Sequence, residues 1–336
     1  MPSVTQDVGA TPESPRLGES INIATRPVHT RLNKLIVLRL RLALPPHADD
    51  ASNYVQGLLH ITPIYMSFES LWQEILSTSP TSTPTDSPPN PNPSSKVPSR
   101  IRAILNATHL PELERSACLS TDLSRITGWS ADDLRTRLQD TSRESPVLAA
   151  FLARIHRTVK AKPHVLLAYA WVLYMALFAG GRFIRAALER VDAGDRFWGP
   201  LYEDGDEGVS PTTLEDEEKV VFVGRGMVGG KSTMPGTFPG DEDLDDGEVG
   251  YVVVGKEKEE EEPIHPLSFF RFDTPDDGQD LRQEFKESVA SATDMLLPEE
   301  IEEVVNEAKD IFEQMVGLVG ELDDVCGTEY EAATAA

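Results

Sequence analysis

The run VLLAYAWVLYMALFAGG, from Val165 to Gly181, constrains this chain more than any other feature. It is seventeen residues long and uncharged, shorter than the roughly 20 residues that cross a bilayer. His164 precedes it, and Arg182 and Arg185 follow. A segment apolar on nearly every side, inside an otherwise polar chain, is read as a buried central helix. Such a helix must be covered all round, so the rest of the sequence has to supply amphipathic partners.

It does. Ile21, Ala24, Val28, Leu32, Leu35 and Leu38 recur at three- and four-residue steps, the period of one buried helix face. A second apolar stretch runs from Tyr54 to Leu76, where Pro63 predicts a kink or a division. Two further helix-like stretches, LPELERSACLSTDLSRITG and SPVLAAFLARIHRTV, are separated by a polar connection. Near the C-terminus, DLRQEFKESVASATDMLL precedes a helix with an apolar face of Ile301, Val304, Val305, Ala308, Ile311, Phe312 and Met315. Pro298 and the two glutamates after it suit that helix's first turn.

Two segments stand apart. Residues 77–100 form a Ser/Thr/Pro-rich run that cannot bury enough surface to order itself. Residues 191–263 are acidic and glycine-rich, longer than a structureless loop in a compact domain usually is. Within them, VVFVG and GYVVVG suffice for a small hairpin at most. The expected class is therefore all-α, a multi-helical bundle with two low-complexity insertions. Its single helical domain is assembled from 19–76, 101–190 and 264–326, with a flexible leader at 1–18 and a tail at 327–336.

Charge and motifs narrow the function. A net charge of −25 argues against a generic nucleic-acid binder, which would present Lys and Arg to the phosphates. Cys118 and Cys326 are too few for a disulfide framework. With no signal-peptide pattern, they point to a soluble, cytoplasmic protein without a transmembrane segment. No HExxH, GxSxG or dinucleotide fingerprint is present, and GRGMVGG lacks the context of a phosphate loop.

The segment ESINIATRPVHTRLNKL resembles the proximal helix of haem oxygenases, where an AT-x-x-VHT run supplies the axial histidine. IYMSFESLWQEIL, LPELERSACLSTDL, FLARIHRTVKAKPHVLLAYAWVLYMALFAGGR, PLSFFRF and NEAKDIFEQMVGLVGEL are similar to later helical elements of that family, in the same order. The resemblance implies a protein that binds haem as both substrate and cofactor. With O2 and electrons from an NADPH-dependent reductase, it would cleave haem to biliverdin, CO and iron.

The resemblance makes His29 the iron ligand. A neutral imidazole is competent for that role, though the residues alone favour an ordinary half-buried helix histidine. Pro27 must lie in the first helical turn or kink the chain just before it. Gly180 and Gly181 match the family's distal glycine pair and its catalytic position, where a missing Cβ lets backbone approach closely; close helix packing would use glycine for the same reason. Arg26, Arg282 and Lys286 match basic positions that contact propionates, and Phe312 completes the cofactor-binding set. Arg282 and Lys286, four residues apart, share one helix face. His60 and His156 are read as structural.

The sequence departs from the family at Ala176 and Leu177, where classical members carry a glycine and a carboxylate that organises water for oxygen activation. Leucine accepts no hydrogen bond. Two alternatives follow: a haem- or tetrapyrrole-binding protein without turnover, and a protein that keeps the fold, has lost haem and uses its acidic insert as an interaction tail.

Overall fold

The computed structural model describes residues 16–78, 97–191, 196–198 and 266–327. Among them there are helices and turns and no strand. In chain order the helices are α1 (Leu17–Leu42), α2 (Ser52–Ser77), α3 (Ser99–Thr108), α4 (Ser116–Thr127), α5 (Ala131–Glu144), α6 (Pro146–Ala161) and α7 (Leu166–Ala176). A π-helical turn, Leu177–Gly181, leads into α8 (Arg182–Leu188); α9 (Gln279–Thr293) and α10 (Pro298–Cys326) complete the bundle.

The apolar run is its centre. Every residue of α7 from Leu166 to Tyr174 is buried. Taken together, Pro163–Leu188 is long and apolar enough to cross a membrane, yet 78% of its apolar window is buried inside the protein. Each Leu or Phe side chain withdrawn from water contributes about 1.5–3 kcal/mol, so this helix is held by its neighbours on all sides.

Local chemistry fixes the ends of several helices. Ser130 Oγ accepts the Asp133 amide (3.2 Å) to start α5, and Ser145 Oγ accepts the Leu148 amide (3.1 Å) to start α6. Pro298 opens α10 with Glu299 and Glu300 in the first turn. Glu300 accepts the Leu297 amide (2.8 Å) and pairs with Arg100 of α3 (2.6 Å). Gly128 and Gly327 end α4 and α10 with left-handed backbone, φ +73° and +61°.

Several expectations need correcting. The polar connection between the two mid-chain stretches is itself helical: α5 has a serine cap, two aspartates in its first turn, and Leu134 and Leu138 one turn apart facing inward. Pro63 neither divides nor ends α2, and Pro27 lies well inside α1 rather than in its first turn. The carbonyl left without a donor by Pro27 belongs to Ile23, an exposed residue, so water can satisfy it. Helix α1 begins at Leu17 and α3 at Ser99, so the leader and the first insertion are slightly shorter than expected. The second insertion contributes to the core: Phe197, in the turn Arg196–Trp198, is 1% exposed, and Trp198 packs edge-on against Tyr54. The hairpin proposed for VVFVG and GYVVVG lies outside the described residues, as do 1–15, 79–96, 199–265 and 328–336. His60 is buried with Nδ1 2.7 Å from the Gln56 carbonyl, whereas His156 faces solvent.

Candidate functional site

Three helices run in register around the expected site. His29 of α1 packs edge-on against Phe312 of α10 (centroids 5.4 Å apart), Arg31 approaches Glu313, and the Arg39 Nε donates to Asp323 (2.9 Å). Both numbers rise together, so α1 and α10 are parallel. His164, just before α7, lies 2.8 Å from Glu303, and the Tyr169 hydroxyl donates to Glu307 (2.6 Å). By the same logic α7 is parallel to α10, and hence to α1.

That arrangement sets the level of His29. Trp171 lies over Gly18, where a Cβ would come within 2.2 Å of its ring, and its Nε1 donates to Asn22 Oδ1 (3.1 Å). His29 is seven residues beyond Asn22 on the same face of α1, about 10 Å along the axis. Seven residues beyond Trp171 is Phe178, inside the π turn. Counting instead through α10, from Glu307 to Phe312, leads to Tyr174. Both routes put His29 level with the end of α7 and the start of the π turn. Asn22, Arg26, His29 and Asn33 form one stripe of α1, and Asn33 Nδ2 donates to His29 Nε2 (3.2 Å).

The π turn was not foreseen. Such turns are rare, and they concentrate at functional sites. Here the Tyr65 hydroxyl donates to the Leu173 carbonyl (2.9 Å), a side-chain bond entering the backbone ladder just before the helix loosens. Leu177 is 4% exposed and buried at the turn's start. Gly181 is buried too: a Cβ there would sit 3.4 Å from the Phe270 ring and 3.4 Å from the Ala176 carbonyl. Gly180 is half-buried. The turn rests on the segment before α9, where Phe178 stacks on Phe272 (4.8 Å) and the Arg182 guanidinium donates to the Asp277 carbonyl (3.0 Å).

Helix α9 brings the remaining cations. Thr293 Oγ1 accepts the Leu17 amide (3.2 Å), and eight residues earlier Phe285 lies 6.1 Å from the Trp171 ring. Helix α9 therefore runs antiparallel to α1, with Arg282 and Lys286 level with the turns that precede His29. Both are half-exposed, and among the described residues neither makes a hydrogen bond or ion pair. Arg26 is exposed on α1.

Behind the π turn lies a buried carboxylate that the sequence did not signal. Glu69 of α2 accepts the Arg115 amide (2.8 Å) and the Tyr174 hydroxyl (3.1 Å) at Oε1, and the Ser116 amide (3.1 Å) and hydroxyl at Oε2. Burial pushes its pKa up against those hydrogen bonds. Burial and the nearby Glu69 carboxylate likewise raise the Tyr174 and Tyr65 phenols. Each of these residues sits at an apolar helical spacing; only their meeting in space marks them.

A depression of about 380 Å³ lies along Ala24, Pro27, Val28 and Arg31, on the flank of α1 beside His29. A larger one, of about 950 Å³, opens between α2, α4, α5 and α6. Its lining holds no histidine or cysteine, so it offers no imidazole or thiolate ligand to a metal.

Comparison with known proteins agrees with this architecture. A family profile described as Heme oxygenase matches residues 99–321. Heme-binding protein HMX1 of Saccharomyces cerevisiae is 31% identical over 195 residues, covering 56% of this chain and 53% of that protein. The chain thus matches about half the length of this curated relative. Heme oxygenase 2 of Chlamydomonas reinhardtii, solved without heme, superposes with a TM-score of 0.56 at 14% identity, over 92% of this chain and 98% of that one. Heme oxygenase-2 of Synechocystis, solved with heme and NO, gives 0.54 at 14% identity, over 93% and 86%. At that identity the structures speak for the fold alone. The profile match begins at α3, so His29 lies outside it.

Proposed function

The chain belongs to the haem oxygenase family, and on that footing we propose that it binds haem, with His29 Nε2 as the iron ligand and the π turn on the opposite side. The observation that carries this reading is the register: parallel helices hold His29 level with the π turn. The residues fit the group chemically. The iron would take the Nε2 lone pair that here accepts the Asn33 amide proton, so the Asn33 amide would turn aside, and Phe312 packs edge-on against the ring. Arg282 and Lys286, unpaired on α9, together with Arg26, would meet the two propionates. When bound, haem supplies the redox-active iron and the porphyrin that the family's reaction opens to biliverdin, CO and iron. This chain's part would be to orient the ring and exclude water through Leu177 and the aromatic cluster behind it.

Cleavage, with O2 and electrons from an NADPH-dependent reductase, is the fuller form of the proposal. Buried Leu177 favours a second reading, haem binding without turnover, because its side chain cannot accept a hydrogen bond from water. A haemin titration followed by reductive turnover separates the two. Binding produces a Soret band that His29→Ala shifts or weakens, while the circular dichroism of the variant stays unchanged. An identical Soret band in the variant removes His29 as ligand. With reductase and NADPH, decay to a biliverdin absorption supports the enzyme; a Soret band stable under turnover supports the binding protein.

A further inference from the structure

The 950 Å³ groove has a composition at odds with the rest of the chain. Acidic residues make up 56 of 336 overall, yet none of the groove's fifteen lining residues is acidic and three are arginines. Pro63 and Met66 of α2, Leu134 and Leu138 of α5, and Leu152 of α6 give it an apolar floor. Met66 is 43% exposed, unusual for a methionine inside a helical bundle.

Helix α5 supplies seven of the fifteen lining residues, Ala131, Leu134, Arg135, Leu138, Gln139, Ser142 and Arg143. That spacing is one continuous face of a helix. Leu134 and Leu138 are buried at its floor, while Ala131, Arg135, Gln139 and Arg143 are exposed along its rim. From Ala131 to Arg143 the groove extends about 18 Å, the length of three helical turns.

The arginines run along the groove rather than clustering at one end. Arg135 and Arg143 are eight residues apart on α5, about 12 Å, and Arg125 faces them from α4. Arg135 and Arg143 make only exposed pairs with Asp132 and Asp140 three residues away. Arg125 makes no hydrogen bond or ion pair among the described residues, and its charge is felt by the Asp122 carboxylate on the same helix. A single-headed amphiphile would need cations at one end. A row of cations beside an apolar floor instead complements a ligand that repeats acidic groups along an apolar stripe. We infer that this groove docks an amphipathic α-helix with acidic flanks from a partner protein, its apolar stripe on Met66, Leu134 and Leu138 and its carboxylates on Arg125, Arg135 and Arg143.

The test uses the full chain and two fluorescent fourteen-residue peptides with the same leucine stripe, one carrying glutamate on its flanks and the other lysine. The glutamate peptide should bind saturably, lose at least tenfold in affinity between low and physiological salt, and lose at least tenfold in R125E/R135E/R143E. Met66→Glu should weaken it as well, while the haem titration of both variants stays that of the parent. Equal binding of the lysine peptide, unchanged binding in the triple variant, or no saturation by the glutamate peptide overturns the inference. So does binding of phosphatidylserine vesicles that the glutamate peptide does not displace, which would make the groove a membrane contact.

Discussion

Replacing Glu69 by alanine probes the buried network that braces the end of α7. The side chain accepts four hydrogen bonds, two at each carboxylate oxygen. The donors at Oε1, the Arg115 amide and the Tyr174 hydroxyl, belong to buried residues, whereas Ser116 at Oε2 is half-buried and can turn to water. A buried donor left unsatisfied costs about 1–3 kcal/mol. Two such donors, with a smaller contribution from Ser116, give a loss of about 3–5 kcal/mol for Glu69→Ala. Glu69→Gln keeps an oxygen where both buried donors point and disturbs only the Ser116 side, so about 1–2 kcal/mol is expected. Denaturant unfolding at pH 7, followed by far-UV circular dichroism, measures both. A pH series adds a signature. Because burial raises the folded-state pKa of Glu69, its contribution is fully present below its ordinary value of 4.5 and is lost as pH rises through the folded value. Glu69→Gln should flatten that decline. A cost below about 1 kcal/mol for alanine, or equal costs for alanine and glutamine, would refute the reasoning.

Two more perturbations test the fold around the site. Gly278 has φ +82°, and a Cβ there would lie 2.6 Å from Phe272 Cγ and 2.9 Å from Phe178 Cε1. Gly278→Ala should cost about 2–4 kcal/mol from left-handed strain and overpacking together. Gly57→Ala, where nothing lies within 4 Å of the added carbon, should gain about 0.5–1 kcal/mol in the same thermal or denaturant assay. His164 is buried, and desolvation lowers its pKa from 6.5 despite the Glu303 carboxylate at 2.8 Å. The unfolded chain therefore takes up the proton first, and stability should fall as pH drops below 6.5, with a slope of at most about 1.4 kcal/mol per pH unit. His164→Gln should remove that slope; a slope unchanged in the variant would place its origin elsewhere.

The haem proposal and the groove proposal concern opposite kinds of surface. Around His29 the chain offers a neutral nitrogen, an aromatic edge and unpaired cations on α9. Along α5 it offers an apolar floor and a row of guanidinium groups, with no metal-binding side chain apart from the thioether of Met66. Failure of one leaves the other standing.

The helical class and the burial of most of Val165–Gly181, all but the stretch around Ala176 and Ala179, were legible from the sequence, because both follow from local composition: a run without charge must hide, and three- and four-residue apolar steps build the helices that hide it. His29, Gly180, Gly181, Arg26, Arg282, Lys286 and Phe312 could be nominated by motif and order. What the sequence lacked was α5, whose few apolar residues made a capped helix read as a polar connection, and Phe197, which binds part of an apparent insertion to the core. Nor could it show Glu69, Tyr65 and Tyr174 meeting behind a π turn, or His29 level with that turn. Those relations join residues more than a hundred positions apart. Periodicity fixes which face of a helix is buried; only the packing of one helix on another decides what that face meets.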